Sequence, residues 1–297
     1  MAKVVFCGNT DFSIEAVKPL LGRFDLVCIS KPYSVFSRWA ENCGLRIVTV
    51  KSLKREIDKV VSVIETCELL VSCDFGLIIP RELFELPSVA SVNIHPSLLP
   101  KYRGPAPIQH AILNGDFETG LTYIQICEEL DAGGIYFSRK IMITNEDTYT
   151  DLRKKLSILV SETIYLVLTN ILEGKITIIP QDPNQVTWAP KISENDEKLR
   201  ITTCFRTLRH INALSYSPGA YVIFRNKRLK ILKAKISDAP SISNSIFFEK
   251  NKLFLGCDDG SLEILECQLE GGKIISGLDF LNGFKKSLPY RIYDCAS

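Results

Sequence analysis

Near its beginning the chain reads Val4-Val-Phe-Cys-Gly-Asn-Thr-Asp-Phe-Ser-Ile-Glu-Ala-Val-Lys-Pro-Leu-Leu21. The first four of these residues form a short apolar run that is rich in β-branched side chains, and Gly8 ends it. From Asp11 onward the apolar side chains recur at the spacing of an amphipathic helix. A strand, a tight turn and a helix in this order are typical of a protein in which strands and helices alternate.

Four similar strands are predicted further along the chain, at Leu26–Ser30, Arg46–Val50, Leu69–Cys73 and Ser91–His95. Helix-like segments such as Lys54–Thr66 lie between them, and this alternation produces βαβ units with a mostly parallel sheet. A later strand is predicted at Leu121–Cys127 and a long amphipathic helix at Thr148–Thr169. We therefore predict the α/β fold class with a Rossmann-like sheet.

The composition changes near residues 181–200, which are rich in proline and charged side chains, as linkers are. Beyond them, a short helix-like segment at Cys204–Leu214 precedes short alternating strands, with turn residues such as Asp258-Asp259-Gly260 between them. That pattern fits a small β-barrel or a β-sandwich. We predict a first domain over residues 1–187, a linker over 188–202 and a second domain over 203–297.

Composition narrows the functional classes. The chain has ten Cys, none in a CxxC pair, and most lie in apolar runs, which is typical of buried free thiols in a reducing compartment. Three His leave little room for a His-rich metal site, so we expect no metal. No uninterrupted apolar run is long enough to span a bilayer, and the N-terminal strand is too short for a signal core. We therefore expect a cytoplasmic protein without membrane contact.

The charge of the chain is unevenly distributed. Residues 201–297 hold 14 Lys and Arg against 9 Asp and Glu, whereas the first 200 residues hold 22 against 25. Part of this excess is the run Arg225-Asn-Lys-Arg-Leu-Lys230, on a predicted hairpin. A basic second domain suggests a polyanionic partner, although charge alone favours an ordinary solvated surface.

The residues with useful chemistry lie at the end of the Ser91–His95 strand. Asn93 and His95 are two positions apart, so they share one face of that strand, and Pro96 ends it. Ligands bind at the carboxyl edge of open parallel sheets. There, an amide can hold a carbonyl oxygen that gains negative charge, and an imidazole can move a proton at neutral pH.

A carboxylate to accompany them is offered by Asp131, which precedes Gly133 and Gly134 in a loop after the Leu121–Cys127 strand. It would orient His95 or stabilise a positive charge on it. The spacing alone leaves a plain alternative open. A polar residue and a His at a strand end are often only hydrogen-bonded structure, and an Asp before glycines is often only a turn residue.

A longer motif favours the chemical interpretation. The stretch Asn93-Ile-His-Pro-Ser-Leu-Leu-Pro-Lys-Tyr-Arg-Gly-Pro-Ala-Pro-Ile-Gln109 resembles the signature of the folate-dependent formyltransferases. In that family an Asn, a His two residues later and a downstream Asp in a Leu-Asp-x-Gly context form the catalytic trio. The resemblance therefore implies catalytic roles for Asn93, His95 and Asp131, and 10-formyltetrahydrofolate as the formyl donor.

Other matches extend over nearly the whole chain. Gly8-Asn-Thr-Asp-Phe12 resembles the first turn, which contacts the aminoacyl group in the tRNA-acting members and so implies substrate contacts for Thr10, Asp11 and Phe12. Two further segments resemble those that surround the folate. The implied folate contacts are Phe75, Gly76, Leu77, Ile78, Ser97, Leu98, Leu99 and Pro100. The blocks Gln268–Lys273 and Phe280–Gly283 resemble the C-terminal blocks of the tRNA-acting members, which carry an OB-like second domain.

The resemblance thus implies methionyl-initiator tRNA as the acceptor, with Arg225, Lys227, Arg228 and Lys230 as tRNA phosphate contacts, and we expect a monomer. One departure concerns the loop after the second strand, which is long and basic in many tRNA-acting members. Here Ser30–Arg38 is short and supplies only Lys31 and Arg38, so tRNA selection is expected to be weaker or differently arranged. A sugar-nucleotide N-formyltransferase and a non-catalytic tRNA-binding protein remain the alternatives.

Overall fold

The computed structural model describes residues 1–292, and the predicted second domain extends beyond them. The chain forms two compact units. The first unit comprises Met1–Pro107, Glu118–Met142 and Arg153–Ala189. The second comprises Ile108–Phe117, Ile143–Leu152 and the chain from Pro190 onward. Two segments that lie inside the predicted first domain, Ile108–Phe117 and Ile143–Leu152, belong to the second unit. The linear domain ranges 1–187, 188–202 and 203–297 therefore stay a prediction.

The first unit contains a seven-stranded sheet of order β3-β2-β1-β4-β5-β6-β7. Its strands are β1 (Lys3–Gly8), β2 (Asp25–Ser30), β3 (Arg46–Thr49), β4 (Leu69–Cys73), β5 (Ala90–His95), β6 (Glu118–Gln125) and β7 (Ile135–Met142). Strands β1 to β5 run parallel, whereas β6 and β7 pair antiparallel with their neighbours. The chain order reverses beside β1, and a cleft at the carboxyl edge of such a sheet is where ligands bind.

Six helices precede or follow these strands along the chain. They are α1 (Asp11–Val17), α2 (Val35–Asn42), α3 (Val61–Ile64), α4 (Arg81–Phe84), α5 (Pro107–Asn114) and α6 (Tyr149–Leu172). The helix expected over Lys54–Thr66 is reduced to a 3-10 turn at Ile57–Lys59 and the single turn of α3. That expectation was wrong because the segment is rich in β-branched residues, and its buried members Val60, Val63 and Ile64 pack against the sheet and disfavour a regular helix.

By its length and apolar composition alone, the helix α6 could span a membrane. Its apolar side chains are buried at helical spacing, including Leu156, Val160, Ile164 and Leu168. The hydroxyl groups of Thr163 in α6 and Tyr123 in β6 are hydrogen-bonded at 2.8 Å inside the first unit. The burial pattern identifies α6 as a core helix, and core helices share the composition of membrane spans.

The second unit contains an antiparallel sheet of order β14-β10-β11-β12-β9-β8, with β13 paired to β12. Its strands are β8 (Ala220–Phe224), β9 (Lys227–Ser237), β10 (Ser245–Glu249), β11 (Lys252–Gly256), β12 (Ser261–Leu269), β13 (Ile274–Ser276) and β14 (Tyr290–Arg291). Its helices are α7 (Glu194–Glu197), α8 (Cys204–Ala213) and α9 (Gly277–Phe284). The sheet curls around one apolar core into a nearly closed barrel. The predicted fold class, a Rossmann-like sheet followed by a small OB-like barrel, is confirmed.

Candidate active site

Strand β5 positions the first two predicted catalytic residues. Its neighbours are β4, in parallel, and β6, in antiparallel register, with Asn93 opposite Ile124 and His95 opposite Thr122. Since side chains alternate along a strand, Asn93 and His95 project from the same face. His95 is the last residue of β5, so both groups stand at the carboxyl edge of the parallel strands.

The His95 imidazole is only 4% exposed, and both of its nitrogen atoms face protein groups. Nε2 lies 2.8 Å from the carbonyl oxygen of Tyr102. A carbonyl only accepts, so Nε2 carries the proton and donates. Nδ1 lies 3.5 Å from Oδ2 of Asp131. A charged ring would present an N–H to each of these oxygens, whereas a neutral ring with its proton on Nε2 would direct a lone pair at the carboxylate.

The Asp131 carboxylate is where the predicted trio meets. Oδ1 accepts a hydrogen bond from Nδ2 of Asn93 at 3.2 Å, and Oδ2 accepts one from the backbone N–H of Gly104 at 2.9 Å. The Asp131 side chain is only 8% exposed, and its backbone is left-handed, with φ of 53°. The structure thus brings Asn93, His95 and Asp131 together, although 38 positions separate the amide from the carboxylate.

A residue without a local sequence signal holds the loop that carries Asp131. The Gln181 amide donates to the carbonyl oxygens of Asp131 and Gly133, each at 2.8 Å. Its own oxygen accepts from Nε and Nη2 of Arg103 at 3.1 and 2.9 Å. Arg103 is buried and also donates to Glu129 at 2.8 Å. We call Asn93, His95, Arg103, Asp131 and Gln181 the Asp131 network.

Residues 187–189 add a second support that the sequence pattern assigned to the linker region. The N–H of Arg103 donates to the carbonyl of Thr187 at 2.9 Å, and the N–H of Ala189 donates to the carbonyl of Arg103 at 2.8 Å. The N–H of Tyr102 donates to Oγ1 of Thr187 at 2.9 Å. Gly104 lies so close that a Cβ there would be 2.8 Å from the Ala189 carbonyl oxygen, at a φ of 118° that favours glycine. The motif loop is therefore fixed from outside itself.

The first predicted folate segment, Phe75–Ile78, follows β4 and lies beside the end of β5. Asn9, in the loop after β1, donates from Nδ2 to the carbonyl of Phe75 and accepts from the N–H of Lys31 at 2.7 Å. One amide thus ties together the loops after β1, β2 and β4. Phe75 is buried, whereas Ile78 is 89% exposed. Within the described chain, the N–H groups of Leu77 and Ile78 donate to no protein acceptor.

The second predicted folate segment, Ser97–Pro100, is partly internal. Ser97 is fully buried, and its hydroxyl donates to the carbonyl of Lys101 at 2.6 Å. Thr122 donates to the carbonyl of Ser97 at 2.6 Å and accepts from the N–H of Leu99 at 3.1 Å. The side chains of Ser97 and Leu99 therefore shape the loop, while Leu98 and Pro100 are more exposed.

The predicted acceptor turn, Thr10–Phe12, is held by an arginine from the first turns of α6. Nη2 of Arg153 contacts Oδ1 of Asp11 and lies 3.0 Å from Oγ1 of Thr10 and 3.1 Å from Oδ2 of Asp74. The Thr10 hydroxyl donates to Asp74 at 2.6 Å. Phe12 is buried under the Arg153 guanidinium, so Thr10 and Asp11 are the accessible residues of this turn.

The four basic residues predicted to contact tRNA lie on the hairpin of β8 and β9, which we call the basic hairpin. Its turn is formed by Arg225 and Asn226, both at positive φ. Arg225, Lys227 and Arg228 are exposed, and Arg228 lies 4.6 Å over the ring of Tyr221. Lys230 is half-buried, and its ammonium donates to the carbonyl of Pro218 at 2.6 Å.

The thiol nearest along the chain to the predicted folate loop is not poised as a nucleophile. Burial raises the pKa of Cys73, at the end of β4, well above its ordinary value, so this thiol is protonated at neutral pH. Nor does His95 have a nitrogen available to activate a hydroxyl or thiol. In residues 1–292 no three His, Cys, Asp or Glu side chains form a group that could hold a metal ion.

Comparison with known proteins identifies the family. Residues 31–168 match the formyl transferase family, and residues 191–285 match the formyl transferase C-terminal domain. The methionyl-tRNA formyltransferase of Carboxydothermus hydrogenoformans is 32% identical over 299 residues, covering 95% of this chain and 97% of the relative. The enzyme of the same name from Lactobacillus johnsonii is 38% identical over 220 residues, covering 73% and 70% of the two chains.

Among solved structures, the fold resembles that of WlaRD, a sugar 3N-formyl transferase crystallised in the presence of dTDP and 5-N-formyl-THF. The TM-score is 0.69 at 21% identity, and the match covers 91% of this chain and 98% of WlaRD. At that identity the likeness concerns the fold alone.

Proposed function

This chain belongs to the formyl transferase family, and we propose that it transfers a formyl group from 10-formyltetrahydrofolate to the α-amino group of methionyl-initiator tRNA. The named relatives, which cover 95% and 73% of this chain, support this acceptor. The observation that carries the proposal is the convergence of Asn93, Gly104 and His95 on the Asp131 carboxylate. On this proposal the enzyme acts in the cytoplasm as a monomer.

In the proposed mechanism the α-amine attacks the formyl carbon directly. Asn93 and protonated His95 stabilise the oxyanion that develops on the formyl oxygen. In the structure one N–H of Asn93 is bonded to Asp131, and its second N–H has no acceptor among the described residues. That N–H is the donor directed at the oxyanion, while His95, with both nitrogens engaged, contributes charge.

Asp131 has two tasks in this mechanism. Facing Nδ1 of His95 at 3.5 Å, it orients the imidazole and would pair with the ring in its charged form. It would also accept the proton that the amine loses on attack and pass it to N10 of the folate, whose bond to the formyl carbon breaks as the new bond to the amine forms. The protonated Cys73 thiol and the engaged His95 ring agree with direct transfer, without a covalent enzyme intermediate.

The loops that flank β4 and β5 fit a folate. When bound, it supplies the activated formyl group. A pterin ring has a flat apolar face and an edge of hydrogen-bonding groups. The exposed Ile78 side chain offers an apolar contact, and the unused N–H groups of Leu77 and Ile78 offer donors. We assign Phe75–Ile78 and Ser97–Pro100 to this site, with Ser97 and Leu99 acting as internal supports.

Two sets of residues, one in each unit, are assigned to the acceptor. In the first unit, Thr10 and Asp11 would meet the aminoacyl group, because Arg153 holds them at the carboxyl edge of the sheet. In the second unit, the exposed Arg225, Lys227 and Arg228 would meet tRNA phosphates, with Lys230 as a weaker contact. The short loop after β2 would add little, since the Lys31 ammonium already donates to the carbonyl of Gly76 at 3.2 Å.

A formyl-transfer assay tests the proposal. Purified protein is incubated with 10-formyltetrahydrofolate and charged initiator tRNA, and formylmethionyl ester is measured after deacylation. We expect turnover with this acceptor and none with an amino-sugar nucleotide. Turnover with the sugar nucleotide alone would instead support a sugar N-formyltransferase, and tRNA binding without any transfer would support a non-catalytic protein. Size-exclusion chromatography at the assay concentration checks the monomer.

A further inference from the structure

An exposed tryptophan lies on the rigid segment beside the Asp131 network. Trp188 is 55% exposed, and its flanking residues are bonded to the motif loop on both sides. Besides the bonds described above, the N–H of Thr187 donates to Pro100 and the N–H of Ala106 donates to Ala189, at 3.3 and 3.2 Å. Five hydrogen bonds therefore hold the backbone around an indole that solvent reaches.

Trp188 and Arg103 are partners in a parallel β-bridge. Paired residues of a bridge present their side chains on the same side. The indole therefore emerges on the side where the Arg103 side chain meets Glu129 and Gln181. Two further exposed apolar residues belong to this region, since Leu130 precedes Asp131 and Ile179 is bridged to Ile135. A single exposed apolar side chain is ordinary, whereas several in one region mark a candidate contact surface.

We propose that Trp188 is a stacking surface for the base of the unpaired terminal nucleotide of the acceptor tRNA. This inference rests on the proposed function and adds a nucleotide subsite to it. The aminoacyl ester is attached to the terminal ribose, so the base is separated from the reacting amine by the ribose, the ester and the α-carbon. Trp188 is bridged to residue 103, and the next residue, Gly104, bonds the Asp131 carboxylate. An aromatic surface is therefore held on the segment that is bridged to the loop contacting the Asp131 carboxylate.

The neighbouring groups favour stacking over an ionic contact. The Arg103 guanidinium is buried and already bonded to Gln181 and Glu129. The group presented to a ligand is thus the indole face, which stacks on any base. Stacking of this kind does not read the edge of the base. A terminal nucleotide common to all tRNAs needs no such reading.

The chain has two Trp, so Trp39→Phe leaves Trp188 as its only indole fluorophore. This variant is titrated with uncharged initiator tRNA and with the same tRNA lacking its terminal nucleotide. We expect a saturable change in indole emission with the intact tRNA and a much smaller change with the truncated one. Equal responses to the two tRNAs, no response, or a response to 5-formyltetrahydrofolate in place of tRNA would overturn the proposal.

Steady-state kinetics provide the second test. Trp188→Ala is expected to raise KM for charged tRNA about tenfold, with little change in kcat or in KM for the folate. Trp188→Phe, which keeps an aromatic face, is expected to restore most of that loss. An unchanged KM for tRNA in Trp188→Ala, or a change only in KM for the folate, would contradict the subsite while leaving the formyl-transfer function intact. A wild-type protein without transfer would contradict the function itself.

Discussion

The Asp131 network and the basic hairpin both consist of charged and polar side chains, but they differ in how these are held. In the network, His95, Arg103 and Asp131 are buried, and each is bonded to groups from other loops of the first unit. In the hairpin, Arg225, Lys227 and Arg228 project into solvent from a two-residue turn. Lys230 is half-buried and bonded to Pro218, whereas Arg225 and Arg228 are exposed although they contact Ser287 and Glu197.

This difference follows from what each region has to do. A donor that stabilises an oxyanion must be placed to within a fraction of an ångström, and buried hydrogen bonds give that precision. A cation that meets a phosphate backbone only needs to be near it, and an exposed flexible side chain does this at low cost in desolvation. Disturbing the network should therefore damage turnover, whereas disturbing the hairpin should change salt-dependent affinity.

The largest effect is expected from removing a catalytic group of the network. Asn93→Ala and His95→Ala should each lower kcat at least about 100-fold, since loss of one oxyanion donor typically costs this much. Both variants should still fold, but His95→Ala should lower the free energy of unfolding by about 1–3 kcal/mol, because the buried Tyr102 carbonyl and the Asp131 carboxylate each lose a partner. Steady-state formylation and thermal melting measure the two quantities.

His110→Ala is the matched control for His95→Ala. His110 also bonds a backbone carbonyl, that of Pro190, at 3.0 Å, but it belongs to the second unit and not to the network. It should keep near-normal turnover. Near-normal formylation by either Asn93→Ala or His95→Ala would remove the catalytic assignment and, with it, the contrast between the two regions.

A smaller effect is expected from Gln181→Leu, which keeps the side-chain volume but removes the amide. Two loop carbonyls and two N–H groups of Arg103 would lose their partner. The Asp131 loop should then shift, lowering kcat about tenfold and the free energy of unfolding by about 1–3 kcal/mol. Urea denaturation and steady-state kinetics check both values.

Gln185→Leu is the control from the same segment. Its amide donates only to the exposed Asp182 carboxylate, at 2.9 Å, so kcat and stability should stay close to those of the wild type. If Gln181→Leu and Gln185→Leu change kcat and stability equally, the effect belongs to the segment in general. Gln181 then has no special role in positioning Asp131.

The smallest effects are expected in the basic hairpin. Arg225→Gln and Lys227→Gln should each reduce the slope of log affinity for tRNA against log salt by about 1, with little change in kcat. Lys230→Gln should reduce it less, because that ammonium is already bonded to Pro218. Filter binding over a range of salt concentrations measures the slopes.

Lys235→Gln serves as the control on strand β9, since this lysine is paired with Glu263 at 3.4 Å. It should leave the slope unchanged. If Arg225→Gln and Lys227→Gln leave the salt slope unchanged, or if Lys235→Gln reduces it equally, the hairpin is an ordinary solvated surface and tRNA is bound elsewhere.

Much of the candidate site was predictable because its residues lie in one motif. Asn93 and His95 are two positions apart on a strand, and the alternation of side chains is enough to place them together. The loop context suggested Asp131 as a partner but left a plain turn residue open, and the family resemblance favoured the partnership, because nothing local relates residues 38 positions apart. The roles of Gln181 and Trp188 were not predicted, since proline and charge made residues 181–200 resemble a linker, and that of Arg103 was not predicted because its partner Gln181 lies 78 positions away.

The sequence by itself determined the fold class, the first six strands of the first unit with the long helix α6, and the β-rich character of the second unit. Apolar periodicity is a local property of the sequence, so it predicts strands and helices without any long-range contact. Only the tertiary structure decided how the reactive groups are held. Gln181 meets Arg103 across 78 positions and Asp131 across 50, and such contacts exist only once the sheet has brought distant loops to one edge.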